Sequence, residues 1–188
     1  YINNIKVLEI GSNDCTLLNY FKKKKCLTVD IEPAKNLFKF TKKNHHIINS
    51  YFNSQTNKIL KKKYGTFDLI LGNNVFAHID NLKNIFINIK NLMNDQSIIV
   101  FEVSYLLDVI NKKLFDIIYH EHLDYHSISP LILFLEKIGL KTIDLEKVPI
   151  HGGSIRFYLA LFHSPRKIYQ NKINYYLKYE KNSGITTK

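Results

Sequence analysis

Apolar runs of strand length alternate with amphipathic stretches along the first hundred residues. Ile5-Lys6-Val7-Leu8-Glu9-Ile10 reads as a short strand, and Gly11 to Cys15 reads as a turn. Thr16 then opens a helix with Leu17, Leu18 and Phe21 on its apolar face. A second strand, Cys26 to Ile31, is stopped by Glu32-Pro33, because proline cannot donate to a ladder. A helix over about 36–43 follows, then a weak strand at Ile47-Ile48 and a lysine-rich helix from about Asn53 to Lys63. Phe67 to Gly72 reads as a buried strand. Asp80-Asn81 caps a helix whose apolar face carries Leu82, Ile85, Phe86, Ile89 and Leu92, and Ile98 to Val103 is the fifth strand. The pattern then changes. Leu106 to Ile118 is partly helical, and Ser129-Pro130 starts a helix that Gly139 ends. Thr142 to Val148 and Ser154 to Phe162 follow as strands with no helix between them, joined as a hairpin by residues 149–153. Repeated βα units closed by such a hairpin predict an α/β sheet, mostly parallel with an antiparallel C-terminal strand. Ligands of such sheets bind beyond the carboxyl ends of the strands, where strand order reverses. The turn at Gly11 to Cys15 and Glu32 belong at that edge.

Composition narrows the reading. With 188 residues and 45% hydrophobic content, the chain is long enough for one domain with a real core. No apolar run has the length of a membrane span, and two cysteines, Cys15 and Cys26, make neither a disulfide framework nor a zinc motif, which fits a reducing cytoplasm. The net charge of +11 is almost all lysine, with Arg156 and Arg166 the only arginines. Lys22 to Lys25 and Lys61 to Lys63 fall at helix ends, where cations are favourable and solvated. The charge therefore reads as a solvated surface able to attract phosphate-bearing small molecules, and nucleic acid is not the expected partner. Tyr1 stands first and a strand begins almost at once, so the expectation is a domain of a longer protein: a core over 1–163, and a linker or the start of a truncated C-terminal domain over 164–188.

Two groups of residues carry candidate chemistry. Tyr119-His120-Glu121-His122-Leu123-Asp124-Tyr125-His126 packs phenols, carboxylates and imidazoles into one loop, groups that move protons near neutral pH. Glu9-x-Gly11-x-Asn13 is a relaxed version of the acidic, glycine-spaced loop of nucleoside-binding folds. Gly11 allows a sharp turn, and polar Asn13 and Asp14 suit an amino-acid moiety better than a pyrophosphate. Glu32 sits where a carboxylate accepts hydrogen bonds from ribose hydroxyls, with Asp30 as the competing candidate. Together these elements favour S-adenosylmethionine over a dinucleotide.

In order along the chain, Val7-Leu8-Glu9-Ile10-Gly11-Ser12-Asn13-Asp14, Glu32-Pro33-Ala34, Asn73-Asn74-Val75-Phe76-Ala77-His78-Ile79, Phe101-Glu102-Val103, Tyr119-His120-Glu121-His122-Leu123 and His151-Gly152-Gly153-Ser154-Ile155-Arg156 resemble the S-adenosylmethionine-dependent sugar C-methyltransferases. These enzymes methylate carbon 3 of nucleotide-linked 4-keto-deoxyhexoses. The resemblance runs from about Val7 to Tyr158. It implies a class I methyltransferase fold of Rossmann-like type, with Glu9, Gly11, Asn13, Asp14, Glu32, Asn73 and Asn74 as cofactor-binding positions. It further implies an active site of His78, Tyr119, Glu121 and His122, and a substrate segment containing His151 and Arg156. Cys15 departs from the family, which has glycine there. The family's N-terminal zinc-binding domain and its further C-terminal domain are largely absent, so no zinc is expected in this piece.

The implied chemistry is deprotonation beside a ketone, followed by methylation of the resulting carbon nucleophile. Neutral His122 would be the base, Glu121 would fix its tautomer, and Tyr119 or His78 would donate to the enolate oxygen. Three rivals stand beside this reading. His120, His122 and His126, completed by Asp124 and Glu121, could hold a metal if the segment were helical. The chain could be an O- or N-methyltransferase acting on another small molecule or RNA. It could also be an inactive cofactor-binding remnant.

Overall fold

The computed structural model describes residues 5–41 and 45–185. The strands, β1 (Lys6–Ile10), β2 (Leu27–Ile31), β3 (His46–Ile48), β4 (Leu69–Asn73), β5 (Ile98–Ser104), β6 (Leu140–Val148) and β7 (Ser154–Leu161), form one sheet in the order β3-β2-β1-β4-β5-β7-β6. The first five are parallel to one another, and β7 runs antiparallel between β5 and β6. The C-terminal hairpin expected from the sequence is thus present, with its second strand inserted inside the sheet. The helices are α1 (Thr16–Lys23), α2 (Lys35–Thr41), α3 (Ser54–Tyr64), α4 (Leu82–Asn91), α5 (Leu106–Lys112), α6 (Ile128–Lys137) and α7 (Gln170–Asn182). The expected end of the second helix, at Lys42 and Lys43, lies outside the described residues.

Alternation along the strands feeds two apolar clusters. Leu8, Ile70, Ile99, Phe101 and Phe157 point into the larger one, while Val7 and Leu71 turn the other way onto Leu18 of α1. Burial on both faces is why the parallel strands are apolar at nearly every position. Phe101 stacks on Phe157 at 5.0 Å between ring centres, and Phe76 stacks on Phe86 at the same spacing. Phe76 opens the short turn Phe76–His78 after β4, so the aromatic core anchors the turn that presents His78.

α6 begins two residues before the expected start at Ser129-Pro130, and its N-cap residue Ser127 makes no side-chain cap. The reason lies about fifty residues further on. Glu180 of α7, fully buried, accepts hydrogen bonds from the backbone N–H of Ile128 and of Ser129 and from the Ser129 hydroxyl. Segment 164–188, expected as a linker or an opening domain, contains α7, whose Ile173 and Glu180 are buried against the core. Among the described residues no helix is long and apolar enough to cross a membrane.

Candidate active site

The order of the parallel strands reverses between β1 and β4, and residues at the carboxyl ends of β1 to β4 and in the loops beyond them form the walls of a cavity of about 450 Å³. Ile10, Ile31, Phe52, Val75, Ile79 and Ile85 make it largely apolar, with Glu32 and Asp80 as its acids. Gly11 has φ +71°, and a side chain there would begin 3.0 Å from Val75, so only glycine leaves this wall open. The Glu32 carboxylate is fixed by the chain itself: Oε2 accepts from Asn13 N–H at 3.0 Å and Oε1 from Ala34 N–H at 2.8 Å. Each oxygen keeps a lone pair for a ligand hydroxyl. Apolar walls for a flat base and an immobilised carboxylate for a ribose suit the adenosine part of S-adenosylmethionine.

Glu9 lies beneath the loop on the α1 side. It stands beside Asp30, its register partner on β2, and its Oε2 has no hydrogen-bond partner among the described residues. Burial, reinforced by Asp30 and Asp14, pushes its carboxyl up to about 8, and burial raises Asp30 to about 6. An orphaned carboxyl oxygen below a ligand loop fits a cofactor carrying positive charge. Asp30 is fully buried and does not line the cavity, so of the two candidates only Glu32 is placed to meet a ligand there. Cys15 has φ +61°, which explains why glycine suits this position; its side chain turns into the cluster with Leu18 and Val7, away from the cavity lining. Burial pushes its thiol up to about 11, which leaves it unreactive at neutral pH.

A second cavity, of about 310 Å³, is lined by Asn74, His78, Ser104, Asp116, Ile117, Tyr119, His122 and His151. His78 lines both cavities. The histidine loop reaches this place because the N–H of Leu123 donates to the Ala77 carbonyl at 2.8 Å, while the His126 carbonyl accepts from Leu106 N–H at 2.9 Å. Inside the cavity, the Tyr119 hydroxyl and His122 Nε2 are 2.9 Å apart, and His122 Nδ1 is 2.9 Å from the Ile117 carbonyl. A carbonyl can only accept, so Nδ1 carries the proton and Nε2 receives the phenol's. The same logic holds for His78, whose Nδ1 donates to the Glu121 carbonyl at 2.9 Å. The two imidazole rings lie 4.8 Å apart.

Several expected site residues take other places. The Ile117 carbonyl fixes the His122 tautomer in place of Glu121, whose exposed side chain is not part of the cavity wall; Glu121 contributes its backbone carbonyl to His78. Arg156 is not brought to the cavity. It is the middle of a cross-strand ladder, paired with Glu102 of β5 at 2.9 Å and Glu146 of β6 at 3.1 Å. Asp14 accepts from Thr16 N–H at the start of α1, Asn13 acts through its backbone N–H, and Asn73 ends β4 beside the cavities without lining them. His122 and His126 lie outside any helix, and among the described residues no group of three or more His, Cys, Asp or Glu side chains is set to hold a metal ion. Residue types alone did not single out Tyr51 and Phe52, which follow β3, Ser104, the last residue of β5, or Asp116, in the turn after α5. For Tyr51, Phe52 and Ser104, the position at or just past a carboxyl strand end is the signal that marks them.

Comparison with known proteins agrees with this geometry. The methyltransferase domain family matches residues 2–145. The C-methyltransferase NovU from Streptomyces niveus is 29% identical over 155 residues, which cover 82% of this chain and 37% of NovU. The chain thus spans well under half the length of that relative. Among solved structures, magnesium protoporphyrin IX methyltransferase from Synechocystis PCC 6803 with bound SAH superposes with a TM-score of 0.64 at 10% identity, covering 85% of this chain and 75% of the other. A putative methyltransferase from Haloferax volcanii, in complex with its Trm112 activator, gives 0.69 at 8% identity over 86% and 84% of the two chains. Strand order, a cavity suited to adenosine where that order reverses and the family match over most of the chain lead to one conclusion: the chain belongs to the methyltransferase domain family and has the class I methyltransferase fold.

Proposed function

We propose that the chain is the catalytic core of a C-methyltransferase that methylates a carbon next to the ketone of a nucleotide-linked 4-keto-deoxysugar. The observation that carries this reading is the Tyr119–His122 pair, with the far nitrogen of His122 tied to a backbone carbonyl, in a cavity that shares His78 with the cofactor cavity. The likeness to a C-methylating relative supports it. When bound, S-adenosylmethionine supplies an electrophilic methyl group. The residues of the chain have to generate and hold the carbon nucleophile.

A ketone acidifies the neighbouring C–H, yet the proton still needs a base with a free lone pair near pH 7. His122 is held in the tautomer that leaves Nε2 as that base. It takes the substrate proton directly once Tyr119 swings toward the ligand, or takes the phenol proton while the Tyr119 oxygen takes the one from carbon. Both routes end in an imidazolium whose Nδ1–H points at the Ile117 carbonyl dipole. The ketone oxygen gains negative charge in the same step and needs donors. The Asn74 amide supplies one at any pH. His78 donates from Nε2 only as an imidazolium, because its Nδ1–H is spent on the Glu121 carbonyl.

The test uses the intact protein with S-adenosylmethionine and a panel of nucleotide 4-keto-deoxysugars, read by intact mass and by loss of deuterium from the carbon beside the ketone. His122→Gln should lose both methylation and deuterium exchange while its Kd for S-adenosylmethionine stays unchanged. A methyl group found on oxygen or nitrogen, or deuterium exchange that survives the substitution, overturns the reading.

A further inference from the structure

We infer that Asp108 and Lys112 of α5 are positioning residues for His151, acting through the backbone of the Gly152-Gly153 bend; the functional half of this inference rests on the proposed reaction. His151 sits in an unusual bend. It has φ +50°, and Gly152 and Gly153 follow at +79° and +141°. Such a run of positive φ values is held by its surroundings or not at all. Here the surroundings are α5 with its flanking residues Tyr105 and Leu114, and Lys147 of β6. Asp108 is 2% exposed, and its carboxylate accepts from Lys112 Nζ at 3.3 Å and Lys147 Nζ at 2.7 Å. Lys112 Nζ also donates to the Gly152 carbonyl at 2.5 Å, so one ammonium straps the bend to the buried acid. Gly153 lies flat against Asp108: a side chain there would begin 2.0 Å from Oδ2. The Gly153 carbonyl accepts from Tyr105 N–H at 3.1 Å, which closes the attachment.

The product of this clamp is the placement of His151. Its side chain lines the cavity of Asn74, His78, Tyr119 and His122, and it belongs to none of the strands or helices that hold those residues. A buried carboxylate next to a glycine pair is costly to desolvate unless paired. Two lysines meet that cost, and Lys112 uses a second of its three donors on the loop. The clamp therefore couples a charge pair inside the domain to the direction of one imidazole in the acceptor cavity.

The experiment compares Lys112→Met, Asp108→Asn, His151→Gln and the double variant Lys112→Met/His151→Gln in the intact protein. Lys112→Met leaves Asp108 paired with Lys147 and so keeps the fold if Asp108→Asn does not. Each single variant should lower kcat/KM for the keto-sugar by about tenfold or more, as small misplacements of a cavity group do, with the Kd for S-adenosylmethionine unchanged. The double variant should be no worse than His151→Gln alone. In parallel, the ring resonances of His151, assigned by their loss in His151→Gln, should shift or broaden in Lys112→Met without any substrate. Additive losses in the double variant, or an unmoved His151 signal, overturn the inference. Absence of methylation on every keto-sugar sinks the proposed reaction instead, and the resonance measurement still decides the clamp.

Discussion

Replacing Glu9 by glutamine should stabilise the cofactor-free protein at alkaline pH and do nothing below about pH 4.5. Glu9 stands beside Asp30 on the α1 face of the sheet, and its carboxyl is raised from the ordinary 4.5 to about 8 by burial first and by its acidic neighbours second. A raised carboxyl means that the folded protein binds this proton more tightly than the unfolded chain does. Between about pH 4.5 and 8 folding takes up a proton at Glu9, so stability falls as pH rises, and the loss is complete above about 8. Asp30 acts with the same sign over the lower window that ends near 6. Glutamine has nearly the shape of the protonated acid and never ionises. Each tenfold step in proton affinity corresponds to about 1.4 kcal/mol, which caps the gain near 5 kcal/mol; relaxation and water entry around a buried charge bring it to on the order of 1–2 kcal/mol. Urea unfolding of parent and variant at a series of pH values measures this directly. The midpoints should coincide below about pH 4.5, separate steadily up to about pH 8 and stay a constant distance apart above it, with the variant ahead. A variant that is less stable than the parent at the alkaline end would refute the reasoning, because it would mean that ionised Glu9 is stabilised where it sits. The cofactor supplies a second arm. A cation over the β1 loop favours the carboxylate, so S-adenosylmethionine should bind more tightly as pH rises toward 8 in the parent, and with a flatter profile in the variant.

Other substitutions test other parts of the structure. Glu180→Ala removes the acceptor shared by Ile128 N–H, Ser129 N–H and the Ser129 hydroxyl, and should cost about 2–4 kcal/mol in thermal or denaturant unfolding; a loss below about 1 kcal/mol would show that α6 does not depend on α7 for its cap. Glu32→Ala should weaken S-adenosylmethionine binding by about tenfold to a hundredfold in calorimetry, through the lost ribose acceptor and the freed Asn13 loop, and an unchanged Kd would move the ribose elsewhere. Glu121→Ala keeps the backbone carbonyl that holds His78, so its kcat should fall far less than that of His122→Gln; equal losses would place the carboxylate in the chemistry after all.

The parts of the fold that can be read along the chain are those decided by local spacing. The alternation at Lys6–Ile10, the glycine turn after it and the cap at Asn81 all act within a few residues, and each produced its element. α6 shows where local reading stops. Ser129-Pro130 is a good helix start in isolation, but Glu180 provides buried acceptors for Ile128 and Ser129, and no window around residue 129 contains it. The site divides along the same line. Tyr119 and His122 are three positions apart, so their meeting is legible, whereas the partner of His122 Nδ1 is the Ile117 carbonyl, and a backbone acceptor leaves no mark in the residue types. Arg156 looks like a ligand for an acidic substrate until the register sets Glu102 and Glu146 on either side of it. Glu146 lies ten residues away across the hairpin, but Glu102 is 54 residues away on another strand.

The insertion of β7 between β5 and β6 has a consequence for synthesis on the ribosome. A nascent chain that has reached Gly153 already contains β6, yet β6 has no strand to lie against, and the flank of β5 carries open amides along Ile98–Ser104. Unpaired apolar edges of this kind recruit chaperones or other copies of the same chain. Eight further residues, Ser154–Leu161, seal both edges at once. Translational stalling just before Ser154 should therefore yield a sticky polypeptide, and stalling some tens of residues later, once that strand has cleared the exit tunnel, a protease-resistant one.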